Sequence, residues 1–254
     1  MTTLKPRNIK LLLEYEGTHF QGWQSQAHKR TIQDFLELII GKIVNHRVKL
    51  ITAGRTDSGV HAKGQVINFH TTSPISLSNL IRAINTMAKP DIVILSAEEV
   101  SEKFNARKDA QLRWYRYRIL NRNLPSVFES GYSFHYRYPL DIEKMQKAGN
   151  CLIGRHDFTS FNGSPKLTEN PIRTVKEFTV TREGDMIYID IKAHAYLHHM
   201  VRTIVGTLIE IGRGKMKYTQ MKKILDSKDR KKAGSNVPPQ GLFLMEVKYQ
   251  ENTR

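Results

Sequence analysis

The sequence has one cysteine, Cys151, among 254 residues. A single thiol cannot form a disulfide within the chain, and it excludes every zinc site built from several cysteines. Apolar runs are short, such as Leu11-Leu12-Leu13 and Ile92-Val93-Ile94-Leu95, whereas a bilayer-spanning helix needs about 20 residues. The first ten residues also lack the apolar segment of a signal peptide. We therefore expect a cytoplasmic protein that is not integral to a membrane.

Acidic residues are scarce relative to basic ones. The chain has 24 Asp and Glu against 40 Lys and Arg, a net charge of +16 and a pI near 9.9. Such an excess favours a polyanionic partner, because Lys and Arg neutralise phosphates. RNA, DNA and an anionic membrane all remain open at this point. Hydrophobic residues at 39% and charged residues at 25% are ordinary for a globular chain of one or two domains, which excludes general disorder.

Hydrophobic spacing predicts both helices and strands. From Thr31, a suitable N-cap, apolar residues recur with helical period as far as Val44. The other expected helices are 78–87, 141–151, 198–211 and 219–226, and the expected strands are 8–15, 50–53, 65–70, 92–100, 112–120, 174–181, 186–193 and 242–249. Regular β-α alternation is missing, so we predict an α+β fold with a mainly antiparallel sheet rather than a doubly wound parallel one.

The predicted elements fall into two lobes with unequal charge. Residues 1–110 carry 15 basic and 10 acidic residues, whereas residues 111–254 carry 25 and 14. The second lobe is therefore expected to face more phosphate. Between Arg213 and Lys232 there are nine basic and two acidic residues, a segment that is either a solvated surface or a phosphate contact.

The densest chemical signal is the segment Gly54-Arg55-Thr56-Asp57-Ser58-Gly59-Val60-His61, between two predicted strands. Glycines permit positive φ and close backbone approach, so such a loop suits a site. An ordinary polar turn is the structural alternative. A nucleotide-binding P-loop does not fit, because Gln65-Val66 stands where that motif requires Lys followed by Ser or Thr.

Two further segments combine aromatic, cationic and imidazole side chains. In Arg113-Trp114-Tyr115-Arg116-Tyr117-Arg118, one strand face is able to stack bases while the other packs inward, although a half-buried strand has the same pattern. In residues 195–206, an apolar helical stripe suggests that Arg202 is partly buried and needs an acidic partner. His194 and His198 have i,i+4 spacing, but without a third ligand we expect no metal site there.

The chain resembles the tRNA pseudouridine synthase A family, with segments in the same order along nearly its whole length. Ser58, where many relatives have Ala, is a small departure. The matching segments are Tyr15-Glu16-Gly17-Thr18-His19-Phe20-Gln21-Gly22-Trp23-Gln24, Gly54 to His61, Phe104-Asn105-Ala106-Arg107 with Arg113 to Tyr117, Leu197-His198-His199-Met200-Val201-Arg202, and Gly241-Leu242-Phe243-Leu244.

The resemblance implies isomerisation of uridine to pseudouridine in the anticodon stem-loop of tRNA. It assigns Asp57 as the nucleophile and Arg202 as its cationic partner, with Tyr115 stacking on the target base. Arg55 is implied to hold the flipped nucleotide, and Leu244 to wall the uracil pocket. It further implies two lobes around one continuous sheet, an active cleft between the lobes, a homodimer, and no cofactor or metal.

Two other functions compete with this interpretation. A catalytically idle RNA-binding module would use the same basic surface, and a metal-dependent nuclease would use the histidines. Mass-neutral conversion of uridine separates the isomerase from both, and metal dependence isolates the nuclease.

Overall fold

The computed structural model describes residues 5–164 and 170–250. These residues form two compact units: unit 1 contains residues 5–111 and 244–250, and unit 2 contains the described part of Leu112–Phe243. The division into lobes at residues 110 and 111 stays a prediction. Within the described ranges, no helix is long and apolar enough to cross a bilayer.

The secondary structure is mixed. Unit 1 contains β1 (Arg7–Tyr15), α1 (Ile32–Val44), β2 (Ile51–Thr52), β3 (His61–Thr71), α2 (Leu77–Ala88) and β4 (Ile92–Val100). The remaining elements belong to unit 2, except that β5 and β10 have residues in both units. They are β5 (Ala110–Leu120), β6 (Phe134–His135), α3 (Ile142–Gly149), β7 (Gly154–Asp157), β8 (Ile172–Glu183), β9 (Met186–Ala193), α4 (Met200–Gly212), α5 (Gln220–Ser227) and β10 (Leu242–Tyr249).

Hydrogen bonds order the strands as β4-β1-β3-β10 in unit 1, with β2 beside β3. In unit 2 the order is β10-β5-β9-β8-β7, with β6 beside β5. β10 occurs in both orders because its first two residues belong to unit 2 and the others to unit 1. The described strands thus form a ten-stranded sheet that is mainly antiparallel, with β5 and β6 parallel. This confirms the predicted α+β class.

Helix α1 shows how local sequence and packing agree in unit 1. Thr31 caps the helix by accepting a 3.3 Å hydrogen bond from the Asp34 backbone amide. The apolar stripe is buried, and it includes Leu36 and Ile40. Each such side chain contributes about 1.5–3 kcal/mol when fully buried. The prediction of this helix from residue periodicity is therefore confirmed.

In unit 2, α4 lies almost entirely within the core. Gly206, in the middle of this helix, lets another backbone segment come very close: a Cβ atom at this position would lie 1.8 Å from the Ser235 carbonyl oxygen. Because Gly206 has no side chain, residues 234–237 pack directly against α4. It therefore places the Val237 backbone beside the first turn of the helix, where Arg202 lies.

Candidate functional site

The loop that carries Asp57 connects β2 to β3 in unit 1. Its turn is closed by a 3.2 Å hydrogen bond from the Val60 amide to the Asp57 carbonyl oxygen. Gly59 has φ of 74°, a left-handed conformation that favours glycine. Asp57 is half-buried and Arg55 is exposed. The glycine-framed turn expected from the sequence is thus present, and it leaves the Asp57 side chain accessible.

A buried hydrogen-bond network fixes the backbone of this loop. The Tyr15 hydroxyl and Thr56 Oγ1 are 2.7 Å apart. Gln65 Nε2 donates to the Gly54 carbonyl oxygen at 2.8 Å and to the Tyr15 hydroxyl at 3.4 Å. All three side chains are buried, and burial raises the pKa of Tyr15 to about 12. The network fixes the residues on both sides of Arg55, so the loop is preorganised rather than loose.

A second segment, residues 17–24, supports the loop from another side. The Trp23 amide donates to the Thr56 carbonyl oxygen at 3.0 Å, and Ser58 Oγ donates to the Phe20 carbonyl oxygen at 3.2 Å. Gly22 has φ of 84°, and a Cβ atom there would lie 2.9 Å from the Thr56 carbonyl oxygen. Only glycine fits this contact without strain. The segment therefore positions the Asp57 loop.

Arg55 has a cationic neighbour that sequence reasoning did not assign to the site. Partial desolvation, and secondly the charge of Arg107, lower the pKa of the otherwise exposed Arg55 guanidinium. Arg107 belongs to a loop fixed by Asn68, whose Oδ1 accepts from the Ala106 amide at 2.8 Å. Two arginines that repel one another favour binding of an anion. The signal in the sequence was the Phe104-Asn105-Ala106-Arg107 segment itself.

In unit 2, β5 places Tyr115 on its buried face. The ring packs edge-to-face against Tyr196, with 4.9 Å between ring centroids. The Tyr196 hydroxyl donates to the Ile191 carbonyl oxygen at 2.7 Å and contacts that of Arg113 at 2.9 Å. Burial raises the pKa of Tyr196 well above its usual value. Tyr196 thus remains a neutral, fixed support for Tyr115, a role that the sequence did not reveal.

Arg202 lies in the first turn of α4 and is half-buried, as predicted. Its Nε donates to the Val237 carbonyl oxygen at 2.8 Å. Nearby Tyr117 donates its hydroxyl to the Pro238 carbonyl oxygen at 2.7 Å. Burial raises the pKa of Tyr117, and the positive charge of Arg202 partly opposes this shift. Arg202 is therefore a half-buried cation whose Nε is held by a backbone carbonyl oxygen.

The histidines do not share a helical face. β9 ends at Ala193 and α4 begins at Met200, so His194 and His198 precede the helix and their i,i+4 spacing has no helical geometry. α4 starts two residues later than predicted because His199 has φ of 57°. The His198 and His199 rings stack at 3.6 Å, and Asn236 Nδ2 lies 3.0 Å from His199 Nδ1.

Leu244 is the fifth of the predicted site residues. Leu244 is fully buried in the part of β10 that belongs to unit 1. Unit 1 thus holds Arg55, Asp57 and Leu244, with the first two in one loop. Unit 2 holds Tyr115 and Arg202. The roles assigned to all five residues stay predictions.

The basic segment from Arg213 to Lys232 is exposed over much of its length. Some of its cations are paired within unit 2: Lys222 binds Asp226, and Lys228 Nζ lies 3.2 Å from an Asp157 carboxylate oxygen. Exposed pairs of this kind contribute little stability. The segment therefore presents positively charged side chains at the surface, where they are able to contact phosphate.

Comparison with known proteins identifies the protein family of this chain. The sequence profile of the tRNA pseudouridine synthase family matches residues 12–107 and 148–250. The chain belongs to this family of isomerases, which convert uridine to pseudouridine. The family resemblance expected from the sequence is thereby confirmed. Arg55, Asp57, Arg202 and Leu244 lie within the matched segments, whereas Tyr115 lies between them.

Three individual relatives are consistent with this family membership. A protein named tRNA pseudouridine synthase A from Thermoanaerobacter sp. (strain X514) is 44% identical over 243 residues, which are 96% of this chain and 100% of the relative. One named tRNA pseudouridine synthase A 2 from Clostridium perfringens (strain 13 / Type A) has the same identity and coverage. One named tRNA pseudouridine synthase A from Vibrio campbellii (strain ATCC BAA-1116) is 43% identical over 244 residues, 96% of this chain and 92% of the relative.

The buried network beneath the Asp57 loop gives a stability prediction. Tyr15→Phe removes the hydroxyl that joins Thr56 to Gln65 and is expected to lower the free energy of unfolding by about 1–2 kcal/mol. Because the folded-state pKa of Tyr15 is raised to about 12 from the usual 10.0, its stabilising effect is complete below pH about 10 and is lost as pH rises towards 12. Denaturant unfolding from pH 7 to 12 measures both effects.

Tyr218→Phe is the matched control, since Tyr218 is 45% exposed. It is expected to change unfolding at pH 7 by less than about 0.5 kcal/mol. If Tyr15→Phe were as stable as this control, the network would not support the loop.

Proposed function

We propose that this chain isomerises uridine to pseudouridine in the anticodon stem-loop of tRNA, with Asp57 as the nucleophile. The observation that carries the proposal is the preorganised loop that presents Asp57 beside Arg55. Support for the substrate comes from the resemblance of ordered segments and from relatives named tRNA pseudouridine synthase A. Because tRNA is its substrate, we place the protein in the cytoplasm.

The reaction moves the uracil from one attachment to another. The bond between N1 and the ribose C1′ breaks, the uracil turns over, C5 bonds to C1′, and the proton on C5 is lost while N1 gains one. A carboxylate assists by forming a transient covalent bond with either the base or the sugar, and it is released unchanged. No electron donor or energy source is required.

The other residues stabilise and hold the reacting groups. Arg202 supplies positive charge that favours the ionised, nucleophilic form of Asp57. Tyr115 stacks on the target base, and Leu244 walls the uracil pocket. Arg55 holds the flipped nucleotide and offsets part of the few kcal/mol that unstacking costs. The active form is a homodimer.

The direct test is conversion of uridine by the purified protein. A tRNA transcript labelled at uridine should yield pseudouridine without change of mass, detected after digestion to nucleosides. Binding of tRNA without conversion would replace this proposal by the idle RNA-binding module.

Cofactor independence is a separate prediction. Turnover is expected without nucleotide, reductant or added metal, and with an unchanged rate after exhaustive chelation. The rate should be measured before and after dialysis against EDTA, with metal content determined by mass spectrometry. Activity that disappears with one tightly bound metal per chain, while the protein stays folded, would favour the metal-dependent enzyme.

Electrostatic binding is tested with the basic segment. Replacing Lys222, Lys223, Lys231 and Lys232 by Ala should weaken tRNA binding and make the slope of log K against log salt shallower by up to about 3, since each lost phosphate contact contributes about 0.7–0.9. Binding should be measured by filter retention from 50 to 300 mM salt, because the screening of charges changes strongly over this range.

The charge-matched control replaces four exposed lysines of unit 1, namely Lys42, Lys49, Lys89 and Lys103. This variant has the same net charge but should keep the wild-type salt slope. Equal slopes for the two variants would place the phosphate contacts outside the basic segment.

A further inference from the structure

Residues 233–237 lie against α4 and carry the carbonyl oxygen that holds Arg202. The two backbones are in direct contact, since a Cβ atom on Gly234 would lie 2.7 Å from the Gly206 carbonyl carbon. Arg202 Nε donates to the Val237 carbonyl oxygen at 2.8 Å, and the Val237 amide donates to the Arg202 carbonyl oxygen at 3.4 Å. The position of the Arg202 guanidinium therefore depends on the backbone of this segment.

The side chain of Asn236 ties this segment to α4. Thr203, which is fully buried in the first turn of α4, donates its hydroxyl to Asn236 Oδ1 at 2.5 Å. Arg230 Nη2 donates to the same oxygen at 3.4 Å. Asn236 directly precedes Val237, so these contacts fix the backbone just before the carbonyl oxygen that accepts from Arg202.

The donors around Asn236 also determine which way its amide points. A guanidinium has no acceptor, so the atom that faces Arg230 is the oxygen. Nδ2 therefore faces His199, whose Nδ1 lies 3.0 Å away and accepts its hydrogen bond. A neutral imidazole that accepts at Nδ1 carries its proton on Nε2. Asn236 thus holds His199, the residue before α4, in one tautomer.

A purely structural role is the competing explanation for Asn236. Its side chain is exposed, so it adds little to the packing of the core. Its contacts with Thr203 and His199 instead lie on either side of Arg202 along the chain. The contacts of this side chain therefore converge on the turn that presents Arg202.

We propose that Asn236 is a positioning residue for pseudouridine formation and acts through Val237 on Arg202. The inference rests on the proposed function, in which Arg202 supplies positive charge, and it assigns how that charge is held in place. It does not depend on whether Asp57 attacks the base or the sugar.

Single-turnover conversion of a tRNA transcript tests the proposal in two backgrounds. Asn236→Ala should lower the rate about 10-fold or more, because displacing a fixed group by about 1 Å costs up to about 10²-fold. The Michaelis constant for tRNA should change less than about twofold, because the lost interaction concerns the reacting groups. In the Arg202→Met background the same substitution should leave the rate within about twofold of Arg202→Met alone, because residues that act as a unit are not additive.

Ser235→Ala is the matched control. Ser235 is the exposed neighbour of Asn236, and its hydroxyl makes no hydrogen bond with the residues that the structure describes. This variant should convert uridine within about twofold of the wild-type rate. Thr203→Val removes the hydroxyl that holds Asn236 and serves if Asn236→Ala fails to fold. It should lower the rate about 3–10-fold, the equivalent of one hydrogen bond.

The orientation of the Asn236 amide is tested without activity. In protein with isotope-labelled histidine, at about pH 8 where an ordinary imidazole is neutral, two-bond proton–nitrogen correlations should show His199 with its proton on Nε2. His199→Gln assigns the resonance. A proton on Nδ1 would reverse the amide, take its oxygen away from Thr203 and Arg230, and overturn the inference.

The rates separate failure of this inference from failure of the proposed function. Equal rates for Asn236→Ala and Ser235→Ala, or equal fold losses from Asn236→Ala in the wild-type and Arg202→Met backgrounds, would overturn the inference and leave the proposed function intact. A wild-type rate for Arg202→Met would refute both the inference and the role of Arg202. A wild-type chain that converts no uridine would refute the proposed function and the inference with it.

Discussion

Asp57→Asn is expected to abolish pseudouridine formation while leaving tRNA binding close to wild type. The substitution keeps the size of the side chain and removes its charge, so the amide cannot act as a nucleophile. Loss of an essential nucleophile lowers turnover by on the order of 10⁴-fold or more. Single-turnover conversion measures the rate, and filter retention measures tRNA binding.

Ser58→Ala is the matched control for this experiment. Ser58 is exposed and its hydroxyl binds the Phe20 carbonyl oxygen at 3.2 Å. The Trp23 amide still holds this loop at the Thr56 carbonyl oxygen in the variant, so loss of the Ser58 hydroxyl should change the rate by less than about threefold. Substantial conversion by Asp57→Asn would refute the assignment of the nucleophile.

Arg202→Met is expected to lower the single-turnover rate about 10²–10³-fold, the loss typical when one fixed electrostatic group is removed from an active site. The Michaelis constant for tRNA should change much less, because the proposed role concerns the reacting groups. Arg202→Lys keeps the charge but loses the Nε contact with the Val237 carbonyl oxygen, so we expect it to recover part of the rate.

Arg155→Met controls for loss of a positive charge in unit 2, since Arg155 is exposed on β7. It should convert uridine at nearly the wild-type rate. Equal rates for the Arg155 and Arg202 variants would remove Arg202 from the catalytic machinery.

Elements with a clear apolar period were predictable from sequence. α1 has the expected bounds at Ile32–Val44, and β9 and β10 match the predicted residues. These segments bury one face or both, and the pattern is therefore set by their own residues.

Elements that depend on distant partners were not predictable. β6 and β7 have only two and four residues, too few to show a strand period, and they become strands by pairing with β5 and β8. β3 begins at His61, four residues before the expected start, because pairing with β1 continues across Gly64 to Ala62. In each case tertiary pairing overrides local propensity.

The site was predictable in its chemistry but not in its supports. Asp57 and Arg55 stood out because glycines frame them in one segment. Tyr15, Thr56 and Gln65 did not, since polar residues at strand ends read as turns until the fold buries them together. Arg107 was missed because its nearness to Arg55 joins segments about 50 residues apart in sequence.

Mapping pseudouridine in bulk tRNA from cells that lack this protein tests the central claim most directly. Carbodiimide modification followed by primer extension locates each pseudouridine. Our account predicts that pseudouridine disappears from the anticodon arm and not from other parts of tRNA, and that the wild-type chain restores it while Asp57→Asn does not. Unchanged pseudouridine in the anticodon arm, or restoration by Asp57→Asn, would contradict it.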